Sequence, residues 1–232
     1  MLRIPEFDEE ILRRPEGLCS KISDMLRQDS LKEYHDVAKV AKICLESSAT
    51  NDYLEMIAVE SIGGKHFTEK LGPDGELDGK GIEAKPKKGS STSDTGGVVN
   101  DDSPMKLLKT HSEYGLLVFL NATKKCTRVN WACVAPYHYW EQSRFEKIIK
   151  RLELSGKSEW KWGSVLPADI SERKRCLEDL VNFHKKDTYV RANTLKLSIL
   201  ESIPDGEIAI WKHPDLKWKE LPKVLRKKVG VA

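Results

Sequence analysis

Residues 73–85 read Pro73-Asp74-Gly75-Glu76-Leu77-Asp78-Gly79-Lys80-Gly81-Ile82-Glu83-Ala84-Lys85, and the way this stretch pairs with itself decides the fold. Asp78-Gly79 is a two-residue hairpin signal, because a type I′ turn needs positive φ at both central positions and Asp-Gly supplies it. That turn sets Leu77 opposite Lys80, Glu76 opposite Gly81, Gly75 opposite Ile82 and Asp74 opposite Glu83. Cross-strand partners project from one face with Cβ atoms roughly 5 Å apart, so the two carboxylates meet. Lys85, two residues beyond Glu83, points the same way because strand side chains alternate. Carboxylates held this close raise each other's pKa, and their hard oxygens favour a divalent cation such as Mg²⁺. A shifted register would bring Asp78 opposite Glu83 and make it the ligand instead, although an Asp-Gly turn accounts for Asp78 without chemistry.

Outward from the hairpin, the chain changes character on both sides. Upstream, the spacing predicts a helix from Asn51 or Asp52 to Ile62, with Leu54, Ile57 and Ala58 inward and Gly63-Gly64 ending it in a left-handed turn. Before it, short helices are expected around Glu9 to Arg13 and Glu16 to Arg27. A longer one, capped at Asp29-Ser30, carries Leu31, Tyr34, Val37, Ala38, Ala41, Cys44 and Leu45 on one face. Downstream, Gly89 to Ser103 is rich in Ser, Thr, Gly and Asp and reads as a long mobile loop. A helix at Pro104 to Glu113, strands at Leu116 to Asn121 and Asn130 to Ala135, and helices at Tyr139 to Leu154 and Ile170 to Lys186 follow. A strand at Glu207 to Lys212 and a basic end at Lys217 to Lys228 close the chain.

Composition bounds the function class. With 232 residues, 39% hydrophobic and 32% charged, the chain can bury one sizeable core, and a net charge of +3 permits a nucleic-acid partner without demanding one. No apolar run approaches the eighteen or so residues of a membrane span, and no signal-like stretch follows the amino terminus, so an intracellular, cytoplasmic protein with no membrane partner is expected. Cys19, Cys44, Cys126, Cys133 and Cys176 are scattered and lack CxxC spacing, which argues against disulfides and zinc fingers. His66, His111 and His138 lack the spacing of a histidine-metal nuclease.

Pro73-Asp74, followed after eight residues by Glu83-Ala84-Lys85, resembles the signature of the PD-(D/E)xK nucleases, and the order helix, three-stranded meander, helix, further strands is similar over about residues 50–140. Ile82-Glu83-Ala84-Lys85-Pro86 looks most like the core of a type II restriction endonuclease. The resemblance implies an α/β fold: a restriction-endonuclease-like mixed β-sheet flanked by helices, with N-terminal helical and C-terminal α+β elaborations. Its units would be an N-terminal helical region (1–50), a catalytic core (51–140) and a C-terminal α+β region (141–232) that contacts DNA.

The resemblance also implies roles. Asp74 and Glu83 would ligate Mg²⁺ together with the backbone carbonyl of Ala84, and Lys85 would orient or deprotonate the attacking water. Many members add a helix glutamate. Glu55 and Glu60 both compete for that place, and the antiparallel run of helix and strand favours Glu55. The implied activity is sequence-specific, Mg²⁺-dependent cleavage of double-stranded DNA by a homodimer, with a structure-selective resolvase or repair nuclease as one alternative and a non-catalytic nucleic-acid-binding module as another. Lys85, Lys87 and Lys88 suit a phosphate backbone better than the basic end does. Arg191 and Asn193 are of types that read base edges, whereas Trp131, Tyr137, Tyr139 and Trp140 are expected to pack.

Overall fold

A computed structural model describes residues 3–17, 49–68, 72–99, 103–154, 159–184 and 193–231. The expected helices over 29–45 and most of 16–27, as well as Arg191, Cys19 and Cys44, lie outside them.

Helix α1 (9–17) starts at Asp8, whose carboxylate accepts the Glu10 amide at 2.9 Å, while the Asp8 amide donates to the Ser61 carbonyl at 2.6 Å. Helix α2 (Ala49–Glu60) stops two residues before the expected end, and Gly63 follows in the left-handed region at φ 79°. Strands β1 (Lys65–His66), β2 (Gly75–Leu77) and β3 (Lys80–Lys88) then form the antiparallel meander. Strand β4 (Thr95–Val99), helix α3 (Pro104–His111), β5 (Tyr114–Ala122) and β6 (Val129–Pro136) follow. The chain continues through α4 (Tyr137–Leu154), α5 (Ile170–Phe183), β7 (Asn193–Lys196), β8 (Ala209–Lys212) and α6 (Lys223–Lys228).

Among the described residues, six strands make one mixed sheet in the order β1-β2-β3-β5-β6-β8, antiparallel except for the parallel pair β3 and β5. Parallel neighbours need a crossover, and α3 lies in it. Strand β5 is covered on both faces, which is why Leu116 to Leu120 is an unbroken apolar run. One face packs Leu116, Val118 and Leu120 with Ile82 and Ala84 against Leu54, Ile57 and Ala58 of α2. The other packs Leu117, Phe119, Trp131 and Cys133 against Leu197, Leu200 and Leu225 from the C-terminal region. A third cluster joins Leu107 of α3 to Phe145, Ile149, Leu177 and Leu180 of α4 and α5. The chain is thus mixed α/β, with its sheet flanked by helices.

The segment after β3 corrects one expectation. Thr95–Val99 pairs with Asn193–Lys196 in a separate two-stranded sheet, and the turn before it is pinned to the main sheet. The buried Asn121 amide donates to the Ser90 carbonyl at 3.1 Å, and the Trp131 indole donates to the Ser91 carbonyl at 2.8 Å. The side chains of this polar stretch offer little apolar surface of their own. What holds it is its main chain, and the partners come from far along the sequence.

The basic end is also partly engaged within the fold. Lys228 donates to the Ile203 carbonyl and pairs with Asp205 at 3.1 Å, and Lys227 pairs with Glu201 at 3.4 Å. Cys126, Cys133 and Cys176 are buried, as are Trp131, Tyr137 and Trp140. Among the described residues, no helix is long and apolar enough to cross a membrane.

Candidate active site

The turn forms as its sequence dictates: Asp78 has φ 50° and Gly79 φ 73°, both positive as type I′ requires, and the register is Leu77 with Lys80, Glu76 with Gly81 and Gly75 with Ile82. Strand β2 covers β3 only as far as Ile82, and Asp74 sits where that pairing ends. Its amide donates to the Ile82 carbonyl at 2.9 Å, and its Oδ2 accepts the Ala84 amide at 2.6 Å. Asp74 therefore straddles Glu83, tied to the residue on each side of it. Glu83 and Lys85 form an ion pair on this spot, and the Lys85 ammonium also reaches the Ala84 carbonyl at 3.3 Å. Asp78 is exposed at the tip of the turn, away from the cavity, so Asp74 and not Asp78 accompanies Glu83.

These three side chains line a cavity of about 620 Å³ together with Asp52 and Glu55 of α2. Helix α2 reaches the site because it lies very close to the sheet. A Cβ on Gly75 would meet Val59 Cγ1 at 2.5 Å and the Lys65 carbonyl oxygen at 2.6 Å. Only glycine after Asp74 lets β2 pass between α2 and β1. At the other end of the same helix Glu60 pairs with Arg14 and stands outside the cavity, so of the two helix glutamates only Glu55 lines it.

The electrostatics are those of a site with more buried negative charge than it can neutralise. Burial, and then the charge of Asp74, pushes the Glu55 carboxyl up to about 7. Burial, and then Glu83, pushes Asp74 up to about 6, against the lowering effect of Lys85 and of the Ala84 amide. Burial alone would lower Lys85, but Glu83 and Asp74 outweigh it and hold the ammonium charged above its ordinary value. The carboxylates of Glu55, Asp74 and Glu83, with Lys85 among them, form an oxygen-rich, anionic donor set that suits a hard divalent cation. Among the described residues, no three His, Cys, Asp or Glu side chains converge tightly enough to ligate one ion by themselves. Asp74 and Glu83, with the Ala84 carbonyl and Glu55, are the groups that would hold such a cation.

Several lining residues were not singled out from the sequence. Lys106, Lys109 and Thr110 of α3 also line the cavity, with Glu113 and Tyr114 after them. Burial and then Glu83 raise the Tyr114 hydroxyl, which keeps it protonated as a donor, and its ring stacks on Tyr137 with centroids 4.9 Å apart. The Tyr137 hydroxyl accepts from Arg144 at 2.8 Å, so buried groups on α4 fix this side of the site. The i, i+3 spacing of Lys106 and Lys109, opposite buried Leu107, was a signal present in the sequence. Lys87 and Lys88, expected beside a phosphate backbone, do not line the cavity.

No family model matches the chain, and neither the curated proteins nor the solved structures searched contain a match.

Proposed function

We propose that this chain is a Mg²⁺-dependent deoxyribonuclease of the PD-(D/E)xK kind, with the restriction-endonuclease-like core that its signature implies. The observation carrying the reading is the convergence of Asp74, Glu83 and Lys85, with Glu55, in one cavity at the end of a hairpin. The order helix, meander, α3, parallel β5 agrees with it. When bound, Mg²⁺ supplies Lewis-acid stabilisation of charge on the phosphoryl and leaving oxygens.

The protein's own groups do the rest. Asp74 is held by the Ala84 amide and Glu83 by Lys85, so the ligand oxygens are oriented beforehand. The Lys85 ammonium, fixed between Glu83 and the Ala84 carbonyl, orients the attacking water. The Tyr114 hydroxyl stands ready as a further donor. The water oxygen bonds to phosphorus as it releases a proton to solvent, the bond from phosphorus to the 3′ oxygen breaks, and the released 3′ oxygen takes up a proton from solvent, leaving a 5′-phosphate and a 3′-hydroxyl. Cutting both strands of a palindromic site requires two such cavities, hence a homodimer on twofold DNA.

Incubation of the purified protein with supercoiled plasmid and Mg²⁺ tests this. Discrete fragments bearing 5′-phosphates are expected. A smear would replace sequence specificity with general nuclease action, preferential cutting of branched DNA would favour a resolvase, and plasmid bound but intact would favour a binding module.

A further inference from the structure

The cavity gathers charge of both signs. Asp52, Glu55, Asp74, Glu83 and Lys85 come from α2 and the hairpin, whereas Lys106 and Lys109 come from α3 and Glu113 from the turn that follows it. Both α3 lysines are exposed, and the residues packed inward between and after them are Leu107 and Thr110. Residues three apart on a helix are neighbours with Cβ atoms about 5–6 Å apart. Flexible four-carbon stems let the two ammonium groups spread or converge along a polyanion. Successive phosphates on one strand of a duplex advance about 3.4 Å along the axis and lie within the span such a pair can bridge. Helix α3 is itself held firmly. Ser103 caps it through the Lys106 amide at 3.1 Å, and His111 in its last turn pairs with buried Glu141 at 2.6 Å. Glu141 in turn faces Arg173 at 3.7 Å, which ties α3 to both α4 and α5.

We infer that Lys106 and Lys109 form a phosphate rail, holding the phosphates next to the scissile one so that the cleaved strand runs along α3 with its reacting phosphate turned toward Asp74 and Glu83. The inference rests on the nuclease reading for the identity of the polyanion and assigns the strand's path, which that reading leaves open. Lys106 and Lys109 are positioning residues, acting on the flanking phosphates and not on the scissile one. The rail also explains why a cavity already crowded with carboxylates can admit a phosphodiester: Lys106 and Lys109 add positive charge to that of Lys85.

The test is equilibrium binding of a 30-base-pair duplex, with Ca²⁺ replacing Mg²⁺, across a salt series. The proteins compared are the unaltered chain, Lys106→Gln, Lys109→Gln, Lys109→Arg and, as a control on the exposed side of α4, Lys150→Gln. Each lost phosphate contact should reduce the slope of log affinity against log salt by about 0.9, so the glutamine variants lose about 3- to 4-fold less affinity than the unaltered chain between 50 and 200 mM salt. Lys109→Arg should restore the slope, and Lys150→Gln should leave it unchanged. Unaltered slopes in both glutamine variants, with the parent still binding and cutting DNA, would overturn the rail and leave the nuclease reading standing. Reduced slopes in a parent that binds but never cuts under Mg²⁺ would uphold the rail and remove the catalytic reading. A parent that neither binds nor cuts would remove both.

Discussion

The Asp74 carboxylate accepts the Ala84 amide at 2.6 Å, which binds one candidate ligand to the residue that separates the other two members of the motif. A main-chain donor cannot swing away, so Asp74 keeps one oxygen engaged and presents the other to the cavity. The arrangement also explains why hairpin register matters to chemistry. A slip of one residue would send Glu83 and Lys85 to the opposite face of the sheet.

The motif variants separate chemistry from folding. Asp74→Ala, Glu83→Ala and Lys85→Ala should each lower the cleavage rate by at least about 10²–10³-fold, in the range found when a pre-organised transition-state contact is removed. The fold and duplex affinity should be retained, because the three side chains line the cavity and not the apolar core. Asp78→Asn should cut at the parent rate, since Asn also tolerates the turn's positive φ. Loss of activity in that variant would move the ligand to Asp78.

Stability without metal should depend on pH with a definite sign. Glu55, up to about 7, and Asp74, up to about 6, bind protons more tightly when folded than at their ordinary values of 4.5 and 3.8. Where the folded state binds more protons, stability falls as pH rises. Thermal melts in EDTA should therefore show the highest midpoint near the lower end of that window, falling as pH passes through about 6 to about 7. Glu55→Gln should flatten the upper part of the fall and weaken activity by about 10–100-fold, as expected of an outer ligand. Added Mg²⁺ should raise the midpoint most at the alkaline end, and a midpoint insensitive to both pH and Mg²⁺ would speak against a crowded anionic site.

Gly75 sets the distance between α2 and the sheet. Gly75→Ala would drive a methyl group into Val59 and the Lys65 carbonyl, displacing the helix that carries Glu55. Overpacking of this kind costs about 1–3 kcal/mol, or roughly 2–4 °C of melting temperature per kcal/mol at this chain length. Activity should fall further than the stability loss explains when measured well below the melting point. Equal activity per folded molecule would show that α2 contributes nothing to the site.

Asn121→Ala tests the pinned turn. The Asn121 amide holds the Ser90 carbonyl, and its carbonyl accepts the buried Asn130 amide at 2.7 Å. Removing it leaves both partners unsatisfied, at about 1–3 kcal/mol each. Limited proteolysis should then cut first between Gly89 and Thr95. Parent-like resistance would mean that β4 alone secures the segment.

The hairpin, its register and the convergence of Asp74, Glu83 and Lys85 were legible in the sequence because each follows from short-range chemistry: an Asp-Gly turn, a period of two, and a fixed spacing. The helices and strands around them were legible for the same reason, and their ends moved by only a few residues where caps differ. What could not be read locally was long-range pairing. Strand β4 finds β7 about a hundred residues later, and Ser90 and Ser91 are held by Asn121 and Trp131. Lys106 and Lys109 resemble any solvated helix face until the crossover between the parallel strands β3 and β5 brings α3 to the cavity.

The central claim is that Asp74, Glu83 and Lys85 together hydrolyse DNA with Mg²⁺, and a single-turnover time course on supercoiled plasmid tests it most directly. The parent and Glu83→Gln are compared with and without Mg²⁺, each at a concentration that saturates the DNA. The account predicts conversion of plasmid to cut forms by the parent only when Mg²⁺ is present, and a rate at least about 10²-fold lower for Glu83→Gln under the same conditions. Cleavage by Glu83→Gln at the parent rate, or a parent that leaves the plasmid intact at every Mg²⁺ concentration, would contradict it.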